Sequence, residues 1–265
     1  VSPRTNRHDS PARSVLALPA ALALLVLVVP LIALLARVEW GSLGTALTAA
    51  GTGDALRLSL RTTLTTVVLC VVLGTPLAWV LARSSGRWPP WVRALVTVPL
   101  VLPPVVGGVA LLMAWGREGL VGGPIHDWFG WSIPYSWVRV VLAETFVSIP
   151  FYVLAVEGAL RSLDRRYDDI AATLGASPWR TFRAVAVPMV LPGVAAGATL
   201  AWARALGEFG ATITFAGSFP GRTQTAPLAV YQALEVDPDA ATALSMLMLV
   251  VCVVVLALLR GRWWR

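Results

Sequence analysis

Val15–Ala36 is a run of 22 residues without an ionisable side chain. At about 1.5 Å of rise per residue, a helix of that length crosses the roughly 30 Å hydrocarbon core of a bilayer. Two readings compete: a transmembrane helix, or the apolar core of a signal peptide preceded by Arg13. The run is longer than a typical signal core, and five more apolar stretches follow, so it reads as a first span. The others are Thr62–Ala82, Ala94–Gly116, Trp137–Glu157, Pro188–Phe215 and Ala240–Leu259. Leu56–Arg61 is expected to add a helical turn or two ahead of the second. In lipid, every backbone N–H and C=O needs an internal partner, which long apolar runs meet as helices. The expected fold class is therefore all-α: an integral membrane protein of six transmembrane helices, one domain over residues 15–259. The polar residues 1–14 are expected to be disordered, and 260–265 to form a short tail.

Charge supports this and sets an orientation. Charged residues are 13% of the chain, about half the soluble norm. The net charge of +7 comes from arginine, because the sequence has no lysine. No soluble domain is expected to carry a basic patch for nucleic acid, so positive-inside topology accounts for the arginines better. Arg4, Arg7 and Arg13, the Arg83–Arg93 loop, the Arg161–Pro188 loop and Arg260, Arg262 and Arg265 fall on one side. The opposite loops carry Arg37, Arg57, Arg61, Arg117, Arg139 and Arg222, diluted by seven acidic residues. Both termini are then cytoplasmic, with Trp263 and Trp264 as an inner interfacial anchor.

Several chemistries are disfavoured. His8 and His126 sit in a tail and an outer loop, no H-E-x-x-H or G-x-S-x-G occurs, and a chain without lysine cannot form a phosphate-binding P-loop. Cys70 and Cys252 lie in apolar spans without metal-ligand spacing and read as core residues; no metal site is expected. A channel or secondary transporter remains an alternative. It would place acidic groups near the membrane midplane, and Glu144 and Glu208 are candidates. Neither sits at a convincing depth, and inverted repeats are not evident.

Two spans carry irregular features. The third holds Pro99, Pro103, Pro104, Gly107 and Gly108 within ten residues. Prolines remove helix hydrogen bonds and glycines permit close approach, giving either a gate-forming bend along a pathway or a packing kink. In the fifth, Arg204 and Glu208 share a helix face. They form either an ion pair that fixes the helix or a source of positive potential for an anion, tempered by the carboxylate.

The most informative polar stretch is Arg161–Pro188, with five arginines and three aspartates. Asp164 suits a helix N-cap. Tyr167, Ile170, Ala171 and Leu174 then share one face, with Arg166, Asp169 and Thr173 on the other. Gly175 supplies a left-handed stop, and Ser177-Pro178 starts a second helix. The expectation is helix, glycine turn, helix, either lying on lipid headgroups or shaped for another protein to grip.

Asp169-Ile170-Ala171, three residues, Gly175, nine residues, then Val185-x-Val187-Pro188 resembles the EAA loop (E-A-A-x3-G-x9-I-x-L-P) of permease subunits of bacterial ATP-binding-cassette importers. All spacings match. Asp169, Ile170, Val185 and Val187 depart from the pattern, each keeping charge sign or apolar character. A second likeness lies in Gly207-Glu208-Phe209-Gly210-Ala211-Thr212 and in the run from Pro220-Gly221 to Thr223-Gln224-Thr225-Ala226-Pro227-Leu228-Ala229-Val230-Tyr231. These stretches are similar to permeases of molybdate importers; sulfate and tungstate permeases share the first.

The resemblance implies a type I importer permease fold in a bacterial plasma membrane, working as a homodimer. It implies a cassette ATPase dimer bound at the loop through Tyr167, Asp168, Asp169, Ile170, Ala171, Gly175, Ala176, Ser177 and Pro188. It further implies an extracytoplasmic oxyanion-binding protein at the outer mouth, for which Pro220, Gly221, Arg222, Thr223, Gln224 and Thr225 are candidate contacts. Pro103, Pro104, Gly107, Arg204 and Glu208 are candidate pathway residues. No cofactor is expected on this chain; ATP and magnesium belong to the partner ATPase.

Overall fold

The computed structural model describes residues 11–41, 44, 51–84, 87–133, 135–164 and 166–263. Most of the expected disordered N-tail, and the last two residues, lie outside the described residues. Twelve helical segments organise the fold used here: α1 (Pro11–Arg37), α2 (Thr52–Arg83), α3 (Trp88–Val101), α4 (Pro104–Trp115), α5 (Gly122–Phe129) and α6 (Trp137–Ser162). They continue with α7 (Arg166–Thr173), α8 (Pro178–Met189, with a π-turn at Phe182–Ala186), α9 (Leu191–Leu206), α10 (Gly210–Ala216), α11 (Ala226–Val236) and α12 (Pro238–Trp263).

Among the described residues, four helices are each long and apolar enough to cross a bilayer: α1, α2, α6 and α12. Two more crossings arise only if each of two bent pairs counts as one. The third expected span is not a single helix; α3 and α4 meet at 116°. Leu102 is extended and its N–H closes α3 on Val98, while Pro103 ends one helix and Pro104 starts the next. Proline lacks an N–H and pushes the preceding residue out of the helical region, so the tandem pair breaks the helix outright. The fifth expected span is also interrupted. A 75° bend separates α8 from α9, and α9 stops at Leu206 before α10 restarts at Gly210.

α6 is the hub, packed by α2, α3, α4, α9 and α10. Toward one end, Cys70, Ala78 and Leu81 of α2 meet Tyr152, Val153, Val156 and Leu160 of α6 and Ala201 of α9. Small residues permit this closeness: a Cβ on Gly74 would sit 2.6 Å from the Tyr152 ring. Toward the other end, Leu111 of α4, Ala143 and Val147 of α6, and Ala211 and Phe215 of α10 form a second core. Here Arg139, buried at the start of α6, donates to the carbonyls of Ile133 (2.9 and 3.1 Å) and Phe215 (3.2 Å). It thereby pins that end of α6 to the end of α10. α1 rests against α12, and its 18-residue apolar window is unburied.

Candidate functional site: an exposed helix–turn–helix and a broken helix pair

The loop between α6 and α9 has the local form its residues dictate. The Asp164 carboxylate accepts from the N–H of Arg166 at 2.9 Å and starts α7. The helix ends in a pair of reverse bonds. Ala176 N–H donates to the Ala171 carbonyl and Gly175 N–H to that of Ala172, both at 2.9 Å. Gly175 sits at φ +76°. This is the glycine-terminated helix stop in which C″ and C′ satisfy the last carbonyls. The Ser177 hydroxyl then accepts from Arg180 N–H at 3.3 Å, with Pro178 in the first turn of α8.

Of the expected apolar face, Ala171 turns inward and is buried. Tyr167, Ile170 and Leu174 stand outward, at 46, 56 and 81% exposure, and Trp179 joins them. Asp169, Gly175, Ser177 and Pro188 are exposed too, and Ala176 is half-buried. Asp168 has a different place from its neighbours. Its carboxylate pairs with Arg83 at the end of α2, at 2.9 Å, so it faces the bundle rather than outward. Phe182, buried in the π-turn, anchors the other arm against Trp79 of α2 at 5.3 Å between ring centroids. The result is a protruding apolar knob with two ties to its own bundle. Exposed large side chains of this kind mark a surface that another molecule covers.

The candidate pathway residues split. Glu208 is buried; one oxygen accepts from Ala211 N–H at 2.7 Å and the other pairs with Arg204 at 2.6 Å. Its carboxylate thus caps α10 across the helix break, while half-buried Arg204 presents the open side of the pair. Pro103 and Pro104 are exposed at the bend and Gly107 is buried beside Phe146. The two irregular regions touch. A Cβ on Gly210 would lie 2.8 Å from Cβ of Pro104, and one on Gly108 would lie 2.8 Å from the Ala211 carbonyl. The proline bend and the Arg204–Glu208 break therefore form one junction.

The expected contact turn, residues 220–225, is corrected in part. Pro220, Gly221 and Arg222 are exposed and Gln224 is half-buried, its amide bonded to Gln232. Thr223 and Thr225 are buried and cannot serve as surface contacts. The Thr223 hydroxyl accepts from Phe219 N–H at 2.9 Å, and three N–H groups from Arg222 to Gln224 converge on the Phe219 carbonyl; the threonine shapes the turn.

Glu144 is the acidic candidate that a secondary transporter would use. It is buried, and accepts from the hydroxyls of Thr62 (2.8 Å) and Thr66 (2.9 Å) one turn apart on α2. Sequence reasoning missed the group formed by Glu157, Arg93 and Arg161. Glu157 is buried at the last turns of α6 and is held by both arginines.

Comparison with known proteins decides the family. Residues 74–263 match the family described as binding-protein-dependent transport system inner membrane component. The chain belongs to that family. The permease is 50% identical over 238 residues to the molybdenum transport system permease protein ModB of Mycobacterium tuberculosis, covering 90% of each chain. It is 38% identical over 210 residues to the Escherichia coli protein of that name, covering 79% of this chain and 92% of the other. In fold it is similar to a chain of a bacterial ABC transporter that imports the acidic polysaccharide alginate. That match has a TM-score of 0.76, 16% identity and 94% coverage of both chains. The permease is a multi-pass inner membrane protein.

Proposed function

We propose that this permease is the membrane subunit of an ATP-driven molybdate importer. The observation that carries the reading is the 50% identity to a molybdenum permease across nine-tenths of both chains. A 32% identity to a probable sulfate permease of Zygnema circumcarinatum is weaker, and molybdate is the substrate put forward.

In this reading two copies of the chain enclose one pathway, each crossing the membrane six times with both termini in the cytoplasm. The arginine-rich end, with Arg83, Arg93, Arg161 and the knob, faces the cytoplasm. Tyr167, Ile170 and Leu174 enter a cleft of a cassette ATPase, Asp169 meets a donor of that partner, and Gly175 holds the turn. ATP and magnesium act in that partner. Pro220, Gly221 and Arg222 lie at the outer mouth, where an oxyanion-binding protein delivers its cargo. Closure of the ATPases draws the knobs together and biases a two-state bundle through differential contacts at its two faces. The junction of Pro103, Pro104, Gly210 and the Arg204–Glu208 pair lies along the route, with Arg204 as its source of positive potential.

The test is ATP hydrolysis and uptake by the reconstituted complex with molybdate-loaded, then sulfate-loaded, binding protein. Stimulation by the molybdate form is expected. Stimulation by sulfate alone would overturn the substrate, and anion flux without an ATPase would overturn the mechanism.

A further inference from the structure

Two ionic ties lie near the root of the knob, one from the knob to α2 and one between α3 and α6. Arg83–Asp168 fixes α7 to the end of α2. The second tie centres on Glu157, which is 3% exposed and one turn before the end of α6. Arg93 of α3 reaches it with a fork. Nε lies 3.1 and 3.3 Å from the two carboxylate oxygens, and an Nη lies 2.5 Å from the first. Arg161, one turn further along α6, adds a bond of 2.9 Å. A planar guanidinium gripping both oxygens fixes orientation as well as distance. α3 therefore cannot slide or rotate against the end of α6 without breaking a charge-assisted contact to a buried carboxylate.

The path beyond is continuous. α3 runs from Arg93 to the 116° break at Leu102–Pro103. From there α4 packs on α10 without slack, since Gly108 and Gly210 leave no room for even a methyl group. α6 ends at Ser162, and a short step through extended Leu163 leads from it toward the knob. Packed elements of this kind move as bodies, and bends such as the one at Pro103 absorb the change.

We infer that Glu157 is a positioning residue that carries displacement of the docking loop, through Arg93, to the broken helix α3–α4. The inference rests on the importer reading above. Burial of a paired charge is weak evidence for stability, because an apolar replacement is often neutral; a role in register explains its presence better. Exchanging the partners keeps the net charge but sets a guanidinium at position 157 one turn from Arg161, so the exchange and its reference are both made in an Arg161→Gln background.

The experiment uses the permease with its ATPase in proteoliposomes. Variants are Glu157→Gln, Arg93→Gln and the exchange Glu157→Arg with Arg93→Glu. Uptake per ATP hydrolysed and stimulation by molybdate-loaded binding protein are both measured. The single variants are expected to keep basal hydrolysis but lose about tenfold in stimulation, a typical coupling energy, and the exchange to restore most of it. Native coupling in Glu157→Gln, or no rescue by the exchange in an assembled complex, overturns the inference. An unstimulated native complex would instead indict the importer reading.

A second measurement does not need activity. Spin labels at Trp91→Cys on α3 and Ser162→Cys on α6, in a Cys70→Ala, Cys252→Ala background, report the spacing of the two helices. With the native tie, the narrow distance within one copy, read after dilution with unlabelled permease, should persist between nucleotide-free and ATP-trapped states, and Glu157→Gln should broaden or shift it on trapping. A native distance that changes on trapping, or a mutant that matches the native protein, refutes the link.

Discussion

Replacing Gly175 with valine tests the knob through one backbone angle. At φ +76° an L-residue carries a left-handed penalty of about 1–2 kcal/mol, at the upper end for a branched side chain. Nothing lies within 4 Å of a Cβ built there, so crowding within the permease adds no cost. Abandoning the left-handed angle instead gives up the two bonds from Gly175 and Ala176 N–H, at about 1 kcal/mol each. Either route costs about 2 kcal/mol, which lowers the population of the intact turn by roughly thirtyfold. Basal ATP hydrolysis and membrane insertion should survive while uptake per ATP falls. The order of damage should be Val, then Ala, then Asn, because asparagine tolerates this angle. Uptake at the native level in Gly175→Val refutes the argument. Asn as harmful as Val would also refute it, since that would point to crowding by the partner rather than backbone strain.

The junction gives further expectations. Gly108→Ala should force α4 away from α10 and lower the detergent-solubilised melting temperature, at a cost of about 1–3 kcal/mol. Gly107→Ala, which crowds the movable ring of Phe146 and meets Leu102 at an ordinary contact distance, should cost less, and equal losses would refute the packing. Arg204→Met leaves buried Glu208 without its cation and should destabilise by about 3 kcal/mol; the same melting measurement checks it, and no shift would contradict the pairing. Replacing Thr62 and Thr66 together by valine removes both hydroxyl donors to Glu144 and should cost about 2 kcal/mol or more. Restoring stability with Glu144→Gln, which needs less help to stay buried, would support that account, and a silent double variant would oppose it.

What the sequence discloses here is what short-range chemistry decides. Asp164, Gly175, Ser177 and Pro178 act within five residues of themselves, and the helix, turn and second helix follow from them. The apolar runs likewise announce α1, α2, α6 and α12. Partners far apart in the chain were not legible. Glu157 meets Arg93 across 64 positions and Thr62 meets Glu144 across 82, and no local pattern marks either pair. The prolines at 103 and 104 signalled a disturbance, but hydropathy ran through them unchanged, so a broken pair read as one span. Glu208 reads as half of an i, i+4 pair in a continuous helix; its role as a cap for α10 depends on α9 stopping at Leu206. Thr223 and Thr225 looked like loop surface because hydroxyls suit water equally well as a buried turn.

In the importer reading, an ATPase covers the outward side chains of α7. Hydrogen exchange of the amides from Arg166 to Leu174, in the permease alone and with the cassette ATPase bound, addresses this directly. Strong slowing confined to this helix and turn on ATPase binding is the predicted result. Unchanged exchange there, with protection appearing instead around Pro220–Arg222, would contradict it.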